Sequence, residues 1–515
     1  TPKPSSAASD VYKRQINMLT GDTGRYTGLI SLYALILIAL SYTQVRVENF
    51  QWHLRWILIA VLLVDIFGAI QYLNIYKLPT GAGIGSTLGN SDFFSAWLGT
   101  SIPLILIFKY PHKQIKLIFQ ASFIALTVLL MWVIDVKQGF VDLILLLALI
   151  IVWRFRGLAK SLDWGVKFWT AVLSFATIVW FELIFLLPMA KVKIPFFTDD
   201  VQVTIRTHFW NAGMQMFFDH IPFGVGPDNY GNYYEQYRSL DSFKMTEYVL
   251  SNDAHSSIVQ SFATLGLFNV LIFTALWVLL IRSLVINLFK RPEHRNTYLA
   301  LGAYFLIFAT NSMISPITLP NKFIFWALAG FVIGSAAVIE AKVTGARTLK
   351  VLKGISALMA TVVAFVAINF SLAQLSFANA LTELKKDPKQ VSYNYNPYLP
   401  CVIYFPAQLD LAAISQQSSK LQIASEQINN NERCLNAQMY MAETAIANQD
   451  WQPAKLLVNN ILEIAPARRE VISIAAIYAL KSGDQELQKR LVSQGEFLGL
   501  INATGSALQS QPKLK

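Results

Sequence analysis

Repeated runs of apolar residues, each about as long as a membrane is thick, constrain this chain more than any other feature. They fall at residues 26–43, 55–73, 93–108, 115–134, 140–153, 168–188, 257–281, 297–314, 323–339 and 351–371. A hydrocarbon core of about 30 Å takes roughly 20 apolar residues in helical form. The runs are helix-length rather than alternating ten-residue segments, so they select helices over a barrel. Composition agrees: 54% of the 515 residues are hydrophobic and 14% are charged, where a soluble domain carries about 25% charged residues. The sequence therefore predicts an all-α, polytopic transmembrane helical bundle.

The net charge of +11 does not point to nucleic acid, because the basic residues are confined to short loops between apolar runs. KYPHKQIK (109–116), RFRGLAKSLDWGVK (154–167), RSLVINLFKRPEHR (282–295) and EAKVTGARTLKVLK (340–353) form one set. Short loops rich in Lys and Arg stay on the cytoplasmic side. The alternate set then faces outside: residues 74–92, the DVKQG turn (135–139), a large loop (189–256), 311–322 and the C-terminal tail. Residues 1–15, TPKPSSAASDVYKRQ, carry almost no apolar content and read as a non-native leader. The reading also expects native spans ahead of residue 16.

The polar stretch 201–266 interrupts the apolar pattern and gathers the residues that can do chemistry. Arg206 is a charge at a membrane boundary, a costly placement unless the group is paired, solvated or functional. Its planar guanidinium suits phosphate oxygens. The equally simple alternative is an interfacial arginine meeting lipid headgroups. The spacing of Ile205, Phe209, Met216 and Phe217 predicts an amphipathic helix lying against the membrane. PFGVGPDNYG (222–231) has the glycines and turn residues of a tight turn and lacks the features of a nucleotide-binding loop. His255 is expected in the first turn of a helix capped by Ser251, Asn252 or Asp253. There it can take a proton from a hydroxyl near neutral pH, or simply bond backbone or headgroups. His208 and His220 are rivals for the same role. No HExxH motif, no Cys/His/Asp cluster and no GxSxG elbow is present, so the sequence predicts no metal site. GSTLGNSDFFSAWLG (85–99) and Lys137-Gln138 can join the site from neighbouring outer loops. Lys137 is either a second cation or a snorkelling lysine.

Residues 372–515 change character. Amphipathic helical segments run through 433–495, two of which fit a helix pair of a tetratricopeptide-like array. The chain is thus read as residues 16–371 in the membrane and 372–515 in a soluble helical, repeat-like domain. Cys401 and Cys434 both fall in this tail, where one disulfide is possible but not required.

The order of these pieces resembles the O-antigen ligase / O-antigen polymerase superfamily. The resemblance rests on GNSDFFSAWLG (89–99), on Arg206 and Trp210 followed by HIPFGVGPDNY (220–230), and on the AHSS-to-LG helix (254–266). It spans roughly residues 20–340. It implies a GT-C-like, metal-independent glycosyltransferase of the bacterial cytoplasmic membrane, with no cofactor beyond its donor. The donor it implies is a glycan linked to undecaprenyl diphosphate. The acceptor is a glycan, lipid or protein hydroxyl on the outer face, as in protein O-oligosaccharyltransferases. The resemblance assigns the acceptor base to His255 and the diphosphate contact to Arg206. Lys137, Gln138, Trp210, Gly226, Asn229 and Asn90 complete the implied substrate-binding set. Two departures stand out: the family's usual His-Asn is His255-Ser256 here, and a common Ser-Arg-Gly turn is Lys137-Gln138-Gly139. A transporter or flippase, and a non-catalytic scaffold, are the competing classes. A transporter should concentrate charged or broken helices at mid-membrane, and here the polar residues gather in one outer loop.

Overall fold

The computed structural model describes residues 28–76, 84–109, 112–155, 173–179, 201–245, 251–337, 379, 420–430 and 433–497. Among the described residues the regular structure is helical, with no strand. The bundle comprises α1 (Leu29–Tyr42), α2 (Phe50–Tyr72), α3 (Ser91–Ile107), α4 (Lys113–Ile134), α5 (Lys137–Phe155), α9 (Ser257–Lys290), α10 (Arg295–Ile314) and α11 (Leu319–Ala336). Between α5 and α9 come α6 (Val201–Asp219), α7 (Tyr230–Tyr237) and α8 (Leu240–Met245). Five helical segments among the described residues are long and apolar enough to cross a membrane, and α1 and α3 are shorter apolar helices. The expected runs 168–188 and 351–371 lie outside the described residues, except for a short helical piece at 173–179.

Helix α3 is the centre of the bundle. From Phe94 to Ile107 nearly every residue is buried, because α2, α4, α5 and α10 all pack on it. Apolar side chains also cover the outside of the bundle. Leu117, Ile118 and Trp132 on α4 are 69%, 67% and 68% exposed. A helix that is apolar on both faces belongs in lipid or in a deep core, and among the described residues nothing covers these three side chains. Helix α11 meets α1 almost backbone to backbone. A Cβ on Gly330 would sit 2.8 Å from the Ala39 carbonyl carbon, and one on Gly334 would sit 2.6 Å from that of Thr43. Two glycines four residues apart permit this close approach of membrane helices.

Several boundaries differ from expectation for local reasons. Helix α5 begins at Lys137, so the turn before it is shorter than 135–139; Asp135, in the left-handed region at φ 54°, closes α4. Helix α9 runs on to Lys290 through the expected basic loop and kinks at Gly266. Helix α6 is a correction. It does not simply lie on the membrane, because Phe209, Trp210, Ala212, Gly213, Met216 and Phe217 are buried, packed against α9 and α7.

The C-terminal helices are α12 (Lys420–Asn430), α13 (Leu435–Ala447), α14 (Trp451–Ile464), α15 (Arg469–Ser482) and α16 (Gln485–Phe497). Consecutive helices pack on one another and α13 also reaches α15, around a core including Val458, Ile461, Val471 and Tyr478. Cys434 is buried and disulfide-bonded; the chain's one other cysteine, Cys401, lies outside the described residues.

Candidate functional site

At one end of the bundle the helix termini are tied to each other in a closed circuit. Arg206 on α6 donates from Nη2 to Asp92 Oδ2 at 3.3 Å, in the first turn of α3. One turn further along α3, Ser95 Oγ accepts the Gly139 N–H at 2.9 Å, in the first turn of α5. From that same turn Gln138 Nε2 donates to Asn311 Oδ1 at 2.8 Å, and Ser315 Oγ donates to Gln138 Oε1 at 3.0 Å, which reaches the end of α10. Ser257 Oγ at the start of α9 accepts the Ile317 N–H at 3.0 Å. His255, just ahead of α9, closes the circuit on α6. Its ring stacks on Phe209 with centroids 5.0 Å apart, and its carbonyl accepts from Trp210 Nε1 at 3.5 Å.

This circuit explains the local sequence. Residues three and four apart on a helix share a face, so Arg206 lies on the side of α6 that carries Phe209 and Trp210 and meets His255. Arg206 and Asp92 side chains are 18% and 39% exposed. A single contact of that exposure contributes about 0–1 kcal/mol, so an incoming anion can displace it. The N-termini of α3, α5 and α9 all belong to the circuit, and each brings roughly half a positive charge from its backbone dipoles.

His255 is not in the first turn of α9, as the sequence suggests. Ser256 is the N-cap, its Oγ accepting the Val259 N–H at 3.3 Å. His255 therefore precedes the helix, half-buried, in the left-handed region at φ 49°. Asp253 is not a helix cap; its Oδ1 accepts the His255 N–H at 2.7 Å and folds the loop back. Serine and asparagine cap helices about equally well, so Ser256 does locally what an asparagine there would do.

Other expected site residues are absorbed into the scaffold. Gln138 is 6% exposed with both ends of its amide engaged. Trp210 is fully buried. Asn90 caps α3, accepting the Asp92 N–H at 2.7 Å. Asn229 is buried, donating to Val225 O at 3.3 Å. Gly226 pairs with the α9 kink. Its N–H donates to Thr264 O at 3.0 Å, beside Val225 N–H to Ala263 O at 2.9 Å and Leu267 N–H to Pro222 O at 2.8 Å. The FGVG motif is thus a backbone clamp on Gly266, and the Ile221–Pro222 peptide within it is cis. Lys137 stays exposed at the start of α5. The rival histidines sit elsewhere. His208 shares a hydrogen bond with Ser239 at 3.2 Å, and His220 shares one with the Tyr237 hydroxyl at 3.2 Å. Burial and neighbouring Asp219 push the Tyr237 phenol up to about 12, so it stays protonated beside His220. Among the described residues no group of three or more His, Cys, Asp or Glu is gathered to hold a metal ion.

Sequence reasoning missed the α7 tyrosines as a support for the site. Tyr230 hydroxyl donates to Phe209 O at 2.7 Å, and the Tyr234 ring packs edge-on to Phe209 at 5.4 Å. Both tyrosines are buried. The YGNYYEQY spacing was the available signal, since an aromatic triplet at 230, 233 and 234 makes one face of a short helix.

A bundle of membrane-length helices defines a multi-pass membrane protein, and the polar circuit at one end is its candidate site. Residues 121–274 match the family model described as O-antigen ligase. The match covers less than a third of the chain and supports a likeness to the O-antigen ligase superfamily over those residues. That segment holds Lys137, Gln138, Arg206, Trp210, Gly226, Asn229 and His255; Asn90 precedes it. No curated protein matches the chain.

Proposed function

We propose that the protein is a glycosyltransferase that moves a glycan from undecaprenyl diphosphate to an acceptor hydroxyl at the outer face of the bacterial cytoplasmic membrane. The observation that carries this reading is the Arg206 side of α6 stacked, through Phe209, against His255, inside the segment with ligase-family character. His255 takes the acceptor hydroxyl proton. The acceptor oxygen bonds to the anomeric carbon, and the bond from that carbon to the diphosphate oxygen breaks. The electron pair leaves with undecaprenyl diphosphate, whose charge Arg206, Lys137 and the converging helix N-termini stabilise. A positioned general base is worth typically about 10²–10⁴-fold. The basic loops lie in the cytoplasm, which puts the circuit and the C-terminal helices outside. Those helices are read as tetratricopeptide-like and as the part that meets a protein, lipid or glycan acceptor. The reading uses no metal.

The test is release of undecaprenyl diphosphate by purified full-length protein given undecaprenyl-diphosphate-linked glycans and candidate acceptors, with and without chelator. Arg206→Ala and His255→Ala should each lose at least about 10²-fold in turnover. Parent-like turnover in both would remove the site assignment. Absence of turnover with every acceptor would favour transport or scaffolding.

A further inference from the structure

The helices α7 and α8 are clamped by the C-terminal helices rather than by the membrane bundle alone. Arg433, just ahead of α13, donates from Nε to Asn232 O at 3.0 Å and from Nη2 to Gln236 Oε1 at 2.7 Å. Its guanidinium also lies over the Tyr233 ring, 4.1 Å from the centroid. A guanidinium that hydrogen-bonds through its fork and stacks on an aromatic face is held on both counts, a combination lysine cannot reproduce. Phe243 of α8 is buried in the same apolar core as Leu435, Ile461 and Val471. Helix α7 also touches α14. The contacts therefore run on both sides of α7 and α8.

From α7 the path continues to the site. Tyr230 and Tyr234 lie on α7 beside Tyr233 and hold Phe209 by a 2.7 Å hydrogen bond to its carbonyl and an edge-on ring contact. Phe209 stacks on the His255 imidazole. His255 itself sits on a left-handed residue with no helix around it, so its orientation depends on what packs against its ring.

We infer that Arg433 is a positioning residue: it docks the C-terminal helices on α7 and, through the α7 tyrosines and Phe209, sets the orientation of the His255 ring. The inference rests on the reading of His255 as the base. The C-terminal helices then tune the chemical step itself, in addition to any contact they make with an acceptor. Misplacing a reacting group by about 1 Å can cost up to about 10²-fold.

The experiment uses the full chain in nanodiscs, with parent, Arg433→Ala, Arg433→Lys, Gln236→Ala and His255→Ala. Two quantities are read: the carbethoxylation rate of His255 by diethylpyrocarbonate, followed by peptide mass spectrometry, and kcat and KM for undecaprenyl-diphosphate-linked glycan. Arg433→Ala should change the His255 modification rate several-fold. It should lower kcat by about tenfold or more, within the range set by misplacement, while KM moves less than about twofold. Arg433→Lys should recover part of both, and Gln236→Ala, which removes one arm of the fork, should show the same change at smaller scale. If Arg433→Ala does not yield folded protein, Gln236→Ala alone decides. Parent-like His255 reactivity and kcat in the folded variants overturn the inference. Undiminished turnover in His255→Ala overturns the reading of the base, while the modification rates still decide whether Arg433 sets the ring.

Discussion

Replacing Gly266 with alanine strikes the joint on which the loop and the membrane bundle meet. Gly266 has φ 68° and ψ −162° inside α9, a region that only glycine occupies without strain. An L side chain there costs about 1–3 kcal/mol in backbone energy. The added Cβ would also lie 2.5 Å from the Phe223 carbonyl carbon and 2.6 Å from the Gly224 nitrogen, and closer still to the Pro222 carbonyl oxygen. These are backbone atoms that cannot rotate away, so the 222–226 turn must separate from α9. Separation removes the bonds from Val225, Gly226 and Leu267, each worth about 0.5–1.5 kcal/mol net. The sum is about 2.5–7.5 kcal/mol of local stability, or roughly 10²–10⁵ in the opening equilibrium. Hydrogen exchange of peptides covering 222–230 and 260–268 reads that directly. Exchange at Val225, Gly226 and Leu267 should accelerate by at least about 10²-fold. Gly302→Ala is the control: it lies inside α10 with nothing within 4 Å of the added Cβ, and should be neutral or stabilising by about 0.4–1 kcal/mol. Unchanged protection of those three amides in Gly266→Ala would refute the clamp.

Substitutions at three further positions check the α9 cap, the bundle core and the α7 carboxylate. Ser256→Ala removes the α9 cap and should cost about 1 kcal/mol in thermal unfolding, whereas Ser256→Asn should not; equal losses would mean that the cap is not what Ser256 provides. Gly99→Ala places a Cβ 2.7 Å from the Asp142 carboxyl carbon in the bundle core, so the folded yield in detergent should fall, by about 1–3 kcal/mol of overpacking, and a parent-like melting temperature would contradict the α3–α5 contact. Burial, only partly offset by Arg238 and Arg468, holds the Glu235 carboxyl above the usual carboxylate range. The folded protein then binds that proton more tightly than the unfolded chain does. Its contribution is intact below about pH 4.3 and is lost as pH rises through the raised folded value. Glu235→Gln, whose amide oxygen can still accept from Arg238, should make unfolding of the α7 region less pH-dependent above that point; identical pH profiles would count against it.

The bundle was legible in the sequence because the membrane imposes one length on each apolar run, and α2, α4, α9, α10 and α11 fall where those runs lie. Helix ends were less legible, since they depend on caps. The run of candidates Ser251, Asn252 and Asp253 hid the true cap at Ser256, and Asp253 instead bonds the His255 N–H. Trp210, Asn229 and Gly226 entered the expected site through the family resemblance, and the structure shows bonds by which each also holds the loop. The α7–Arg433 contact joins residues some two hundred positions apart, and no local pattern encodes such a pairing. Gly330 and Gly334 were visible as a four-residue spacing, but their partner carbonyls on α1 were not.

Electrostatics then favour an anion at the circuit for reasons that no single residue supplies. Arg206 faces Asp92 and so contributes little net charge while that pair stays closed. Gln138 is neutral and turned into the Asn311–Ser315 network. The remaining positive field comes from Lys137 and from the aligned backbones of α3, α5 and α9, whose N-termini the circuit draws together. A ligand with one charge gains little by breaking the Arg206–Asp92 contact. A diphosphate brings two or more charges and several acceptor oxygens, so it can take the guanidinium and the helix ends together. On the proposed reading the arrangement favours a ligand of high charge density, and release of Arg206 from Asp92 is one part of that preference beside Lys137 and the helix ends.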